Sequence, residues 1–260
     1  MKVVILCGGK GTRLREETEY RPKPMVPIGD RPILWHIMKG YAVHGFKEFI
    51  LCLGSKGEMI KEYFRNYQWM ATDVTLSLGP KPAVHFHDRH DEEDWSVTLA
   101  DTGLETMTGG RLNRIRRYLG SDETFLFTYG DGVGNIDIPA AVAFHRAHGK
   151  LLTLTAVHPP GRFGELGIAP GGVVREFDEK PQTEGGWING GFFVASSRVF
   201  DFIPDDDQAV FEQEAVRAIA AAGELRAFEH RGFWQPMDTH REFLLLDRLW
   251  TEARAPWKTW

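Results

Sequence analysis

Only two cysteines, Cys7 and Cys52, occur in 260 residues. That is too few for a disulfide framework and suits a reducing compartment. No window approaches the roughly 18 to 20 uninterrupted apolar residues of a membrane-spanning helix. The first apolar run, Val3 to Cys7, is far shorter than a secretory signal core and meets Gly8-Gly9 where a small-residue cleavage pattern would stand. A cytoplasmic protein is the expectation. Surplus positive charge is missing as well: 31 Lys and Arg against 36 Asp and Glu leave a formal charge of −5, which excludes a general nucleic-acid-binding face. Repeats, low-complexity tracts and linker-like runs are absent, so residues 1–260 read as one continuous domain. What the chain does have is 42% hydrophobic and 12% aromatic content, enough for a large core and too much for a disordered chain.

The order of elements is α/β. Residues 2–7 are apolar and β-branched and end in Gly8-Gly9-Lys10-Gly11, the pattern of a buried parallel strand running into a turn. A helix follows over about 32–44, with Ile33, Ile37 and Tyr41 at fourfold spacing, Pro32 in its first turn and Gly45 past its end. Strand 48–53, Gly54 and helix 56–67 repeat the rhythm of a βαβ unit. The pattern blurs over 69–110, where 74–78 and 84–87 suggest strands separated by Gly79-Pro80-Lys81-Pro82; this stretch is expected to be an inserted hairpin region outside the main sheet. Regularity returns with a helix over 111–119, a strand over 124–129, a helix over 139–148 and a strand over 151–157. Further strands are expected at 172–179, 190–195 and 225–229, with helices at 208–222 and 239–254.

Gly8, Gly9 and Gly11 would let the backbone adopt positive φ and approach a ligand closely, with N–H groups turned toward phosphate oxygens. The loop is neither a Walker A sequence nor a dinucleotide fingerprint, in which Leu14 would have to be glycine. Taken alone it is equally a structural turn. Thr12-Arg13 beside it, and Lys23 held between Pro22 and Pro24, turn it into a candidate polyphosphate site: a guanidinium clamps phosphate bidentately, and a lysine between prolines is pinned in an extended segment. Asp131 falls just after strand 124–129, at the carboxyl end where open α/β sheets place ligands.

Leu6-Cys7-Gly8-Gly9-Lys10-Gly11-Thr12-Arg13-Leu14 followed by Pro22-Lys23-Pro24-Met25 resembles the signature of the sugar-1-phosphate nucleotidylyltransferases. The resemblance continues through Phe127-Thr128-Tyr129-Gly130-Asp131-Gly132, Pro159-Pro160-Gly161-Arg162-Phe163-Gly164, Glu179-Lys180-Pro181 and Ile188-Asn189-Gly190-Gly191. The segments 108–112 and 234–239, the tail 255–260 and Arg15-Glu16-Glu17-Thr18 are similar to the cytidylyl branch of that family. It implies a Rossmann-like nucleotidyltransferase fold, with a mixed, mostly parallel central sheet flanked by helices. The implied reaction is CTP plus α-D-glucose 1-phosphate giving CDP-glucose and pyrophosphate, in deoxysugar and O-antigen polysaccharide synthesis.

The resemblance also implies roles. Arg13 would hold the departing pyrophosphate and Lys23 would bridge the sugar phosphate and the α-phosphate, the two catalytic residues. Leu6, Gly8, Gly9, Gly11, Thr12 and Arg13 would bind nucleotide, joined by Thr108 and Arg111 ahead of a helix and by Gly130. Lys23, Gly164, Glu179, Lys180, Asn189 and Gly190 would bind the sugar phosphate. Asp131 and Asp238 would share Mg²⁺, whose habit is one or two carboxylates plus substrate phosphates. A homo-oligomer is implied too. Two alternatives stay open: the same chemistry with UTP, dTTP or another sugar 1-phosphate, and a nucleotide-sugar-binding regulator without turnover. His85, His87 and His90 with Asp88 are not assigned a metal, because alternation puts His85 and His87 beside Arg89. Cys7 and Cys52 read as buried small apolar residues. Trp234 and Trp257 fit subunit packing as well as sugar stacking.

Overall fold

Val3–Leu6 (β1) is apolar at every position because both of its faces are covered. Val3 and Ile5 turn to one side of the sheet and Val4 and Leu6 to the other, the period-two alternation of a strand. The computed structural model describes residues 1–260 other than 12–13, 89, 93, 122, 160–164, 170–172 and 179–185. Six more strands complete the sheet: Glu48–Leu53 (β2), Ser96–Asp101 (β3), Thr124–Tyr129 (β4), Leu152–Val157 (β5), Ile188–Ser196 (β6) and Leu225–His230 (β7). Their order is β7-β5-β6-β4-β1-β2-β3. All neighbours pair in parallel except β6, which runs against both β4 and β5. The sheet is mixed and mostly parallel.

Helices cover both faces. On one side Ile33, Ile37 and Met38 of Ile33–Ala42 (α1) share a core with Val3, Ile5, Phe49, Leu51 and Trp257. On the other, Leu112, Ile115 and Leu119 of Thr108–Leu119 (α2) and Ala215 and Ile219 of Ala215–Ala221 (α3) pack on Val4, Ile50, Phe125 and Phe127. The last helix, His240–Thr251 (α4), starts from a capping box: Thr239 Oγ1 accepts from Glu242 N, and the Glu242 carboxylate accepts from Thr239 N.

Three expectations need correction. The excursion from the sheet is shorter than residues 69–110: the hairpin is Val74–Ser77 with Ala83–Phe86, while Ser96–Asp101 returns to the main sheet as its edge strand beside β2. Ser96 and Thr98 interrupt the apolar run, so this edge strand carries no buried-strand signature. The helix expected over 208–222 forms only as α3. Ahead of it, side chains take the backbone donors: Val210 N donates to Glu214 Oε2 and Phe211 N to Thr108 Oγ1. Helix α2 begins at Thr108 rather than Arg111, and its first N–H groups meet backbone from outside the helix, Gly109 N reaching Ala209 O at 2.9 Å.

The eight tryptophans are partly accounted for here. Trp257 is buried in the core, stacked with Phe233 and Trp250 at centroid separations of 5.7 and 6.4 Å. Its indole N–H lies 3.5 Å from His36 Nδ1, and His36 Nε2 lies 3.0 Å from the Ile28 carbonyl. His36 is therefore buried as the neutral ring, and burial pushes its pKa down to about 4 from 6.5. Between those values the unfolded chain binds the extra proton, so stability is complete above pH 6.5 and is lost as pH falls toward 4. The span corresponds to roughly 3 kcal/mol at most. His145, held down to about 4 mainly by burial, adds a loss of the same sign. Urea unfolding at stepped pH should show this decline, and His36→Gln should flatten its slope; an unchanged slope in that variant would remove His36 as its source.

Candidate active site

The carboxyl ends of β1 and β4 open into a cavity of about 580 Å³, the place an open α/β sheet reserves for ligands. Because β6 runs antiparallel to β4, with Phe192 opposite Thr128, its amino-terminal residues Asn189 to Gly191 arrive at the same rim. Lys23 enters as the first residue of a 3₁₀ turn, Lys23–Met25, correcting the expected extended segment. Pro24 lies against Gly130, where a Cβ would come within 3.0 Å of the proline ring. That contact sets Lys23 beside the residue following Gly130.

Lys23 is buried, and its Nζ donates to Asp131 Oδ2 at 2.7 Å and to Asp238 Oδ1 at 2.5 Å. The two aspartates are 107 positions apart in the chain. A short antiparallel pair, Gly132–Gly134 with Trp234–Pro236, ties their neighbours together, and Met237 N donates to the Asp131 carbonyl at 2.8 Å. Two carboxylates around one ammonium leave a local charge of about −1, with carboxylate oxygens on the cavity wall. Among the described residues no group of three or more His, Cys, Asp or Glu could hold an ion. The donor set nevertheless fits Mg²⁺, which takes one or two carboxylates and fills its other positions with water and phosphate oxygens.

The glycine loop is built differently from the sequence expectation. Of Gly8, Gly9 and Gly11, only Gly11 has positive φ, at 64°. Gly8 is small for another reason: a Cβ there would lie 2.1 Å from Arg111 Nη1. The position at Gly9 is open. Arg111 itself is buried, and its Nη2 donates to the Gly8 carbonyl at 3.0 Å. Its Nη1 donates to the carbonyls of Leu53 and Gly103 and to Thr102 Oγ1, at 3.0, 2.9 and 2.7 Å. The guanidinium is thus committed to the loop backbone and shapes the cavity by holding Gly8 against Gly54.

Thr108 lines the cavity from the first turn of α2, donating to Glu212 Oε2 at 2.8 Å and accepting from Phe211 N at 2.9 Å. The Tyr129 hydroxyl donates to Glu212 Oε1. Burial, then the nearby Glu212 carboxylate, hold that phenol well above its ordinary pKa. Asn189 Oδ1 accepts from Gly191 N, shaping the turn, and the Gly190 carbonyl accepts from Trp234 Nε1 at 2.7 Å. Trp234 therefore belongs to the cavity wall. Leu6, Gly8, Gly9, Gly11, Lys23, Thr108, Arg111, Gly130, Asn189, Gly190, Asp131 and Asp238 all line this one space. Thr12, Arg13, Gly164, Glu179 and Lys180 lie outside the described residues. Tyr129 and Glu212 escaped the sequence reading. Tyr129 stood inside the quoted motif, one place before Gly130; Glu212 stood in a stretch read as plain helix and carried no signal.

Cys7 and Cys52 are both buried and free. Burial pushes the Cys52 thiol up to about 12 and raises that of Cys7 as well, so neither is a nucleophile at neutral pH. The rings of His85 and His87 meet edge-on at 4.7 Å on the outlying hairpin.

A family model described as nucleotidyl transferase matches residues 2–248. The glucose-1-phosphate cytidylyltransferases of Salmonella typhimurium and Salmonella typhi are each 57% identical to this chain over 260 residues, covering all of both chains. Among solved structures, HddC from Yersinia pseudotuberculosis complexed with GMP-PN superposes with a TM-score of 0.67 at 21% identity, over 96% of this chain and 99% of that one. That likeness is one of fold.

Arg111→Lys replaces a planar fork with a single point donor and strands several buried carbonyls. It should cost about 2 to 4 kcal/mol in urea unfolding and speed amide exchange in the 8–11 loop. Wild-type exchange there would show that the loop is held without the guanidinium.

Proposed function

The chain belongs to the nucleotidyl transferase family, and we propose that its own reaction is cytidylyl transfer from CTP to α-D-glucose 1-phosphate, giving CDP-glucose and pyrophosphate. The observation that carries this reading is Lys23 held by Asp131 and Asp238 beneath a glycine loop, in a chain with full-length 57% identity to proteins bearing that activity in their name. The product suits deoxysugar and O-antigen polysaccharide synthesis.

The chemistry asks little of the protein in proton transfer. A phosphate monoester has its second pKa near 6, so glucose 1-phosphate is already an anionic nucleophile at pH 7. What must be overcome is the alignment and mutual repulsion of two anions. Lys23 supplies a fixed ammonium where the attacking and α-phosphate oxygens would meet, and the two aspartates hold that ammonium in place. Asp131 and Asp238 would also hold Mg²⁺, which supplies charge neutralisation for the polyphosphate. Without a cation, the excess negative charge of these three residues repels a triphosphate. Leu6, Gly8, Gly9, Gly11, Thr108 and Gly130 form the nucleotide wall, with Arg111 as the positioning residue behind Gly8. Asn189 and Gly190 form the sugar wall. Thr12 and Arg13 are assigned to the nucleotide and its pyrophosphate, and Gly164, Glu179 and Lys180 to the sugar phosphate, on family resemblance. A homo-oligomer in the cytoplasm is part of the same proposal.

Pyrophosphate release from glucose 1-phosphate with CTP, UTP, dTTP, ATP and GTP should show preference for CTP; preference for another base would keep the site chemistry and refute the branch. Lys23→Ala should lower kcat by about 10³-fold with the fold intact. Near-normal turnover in that variant would take Lys23 out of the mechanism. Metal-stripped enzyme should be inactive in EDTA and recover with Mg²⁺, and full activity after stripping would end the assignment of Asp131 and Asp238.

A further inference from the structure

Three carboxylates line the cavity among the described residues: Asp131, Asp238 and Glu212. The first two share Lys23, whereas Glu212 forms no ion pair with a described residue. Its partners are both neutral hydroxyls, Thr108 at 2.8 Å and Tyr129. The Thr108 oxygen accepts from Phe211 N, so the threonine proton is free to point at the carboxylate. The Tyr129 hydroxyl is likewise the donor in its contact with Glu212. Both hydroxyls therefore donate to Glu212. An ionised carboxylate has about four acceptor positions and no donor, so about two remain for a ligand.

A carboxylate that no cation of the described residues pairs repels phosphate, so the group that suits it is an uncharged donor. The wall on the Thr108 side of Glu212 is not built for a hydroxyl-rich ring, whereas Tyr129 on its other side meets the Asn189 side chain of the sugar wall. Met107, directly before Thr108, lines the cavity with 41% of its surface exposed, and Leu6 and the ring of Tyr129 line it too. Apolar surface edged by one strong acceptor suits a planar base carrying an amino group. Cytosine and uracil differ at one edge: cytosine offers a 4-amino donor where uracil offers a carbonyl oxygen. Against Glu212 the first forms a charge-assisted hydrogen bond, and the second sets lone pairs against a fixed negative charge.

We propose that Glu212 selects cytosine over uracil by accepting a hydrogen bond from the 4-amino group of the base, with Thr108 and Tyr129 fixing the carboxylate's orientation. This rests on the CTP-dependent reaction proposed above. It adds the residue that decides the base, which neither the glycine loop nor the Lys23 cluster can do, since both address phosphate.

The experiment compares kcat/KM for CTP, UTP and zebularine 5′-triphosphate, a pyrimidinone nucleotide that lacks the 4-amino group and adds no acceptor, each with glucose 1-phosphate and Mg²⁺. With wild-type enzyme, zebularine triphosphate should fall about 10- to 100-fold below CTP and UTP lower still. Glu212→Gln keeps the size and one acceptor while adding a donor. It should reduce the CTP-to-UTP ratio at least about 10-fold, acting on KM for the nucleotide and leaving KM for glucose 1-phosphate nearly unchanged. Equal losses for CTP and UTP in that variant would mark Glu212 as a structural residue and overturn the proposal. So would wild-type use of zebularine triphosphate as readily as CTP, a result that needs no variant to fold. A wild type that turns over UTP but not CTP overturns the reaction assigned above together with the role of Glu212; one that prefers CTP without discriminating against zebularine overturns the role of Glu212 alone.

Discussion

One buried ammonium organises this molecule's working end. Lys23 sits between Asp131 and Asp238 at 2.7 and 2.5 Å, and no two of the three are neighbours in sequence. The arrangement is not there for stability. Taking charges out of water costs several kcal/mol per ion, and a well-packed apolar substitute is often as stable. Its value is positional: the carboxylates fix a cation on the cavity wall that would otherwise sample many rotamers. The lysine in turn offsets the repulsion between two like charges on one wall.

Everything around that triad acts to place it. β1 and β4 run in parallel and end together, which brings the glycine loop alongside Gly130 and Asp131. The reversed strand β6 delivers Asn189 and Gly190 to the same rim. The pair Gly132–Gly134 with Trp234–Pro236 carries Asp238 in from the far end of the chain. Arg111 then holds the loop rigid from behind. Its guanidinium lowers the cost of burying the carbonyls of Gly8, Leu53 and Gly103 by giving each a donor. Arg111, expected as a nucleotide contact, lines the cavity and also binds the loop backbone from behind.

Legibility of the sequence followed the strength of local periodicity. The interior strands were readable nearly residue by residue, 48–53 and 124–129 with their observed bounds, because burial on both faces demands an unbroken apolar run. The edge strand Ser96–Asp101 was lost in an apparent excursion, since an edge tolerates serine and threonine. The helix expected over 208–222 was overdrawn because the donors of Val210 and Phe211 go to Glu214 and Thr108, competition that no local pattern records. Gly8 was read as a position for positive φ, but of the three loop glycines only Gly11 has it, and the space beside Gly8 is filled by Arg111.

By itself the sequence determined the α/β architecture, the glycine turn after the first strand, and the residue types a polyphosphate site requires. It could do so because periodicity, turn chemistry and charge type are properties of neighbouring residues. Only the tertiary structure decided which charges meet. Lys23 finds Asp131 and Asp238, Arg111 finds the loop carbonyls, and Glu212 comes between Thr108 and Tyr129. Each of those contacts joins segments eight to more than two hundred residues apart. Contacts at such separation depend on strand order and direction, which are fixed when the whole sheet assembles and leave no mark on any short stretch of chain.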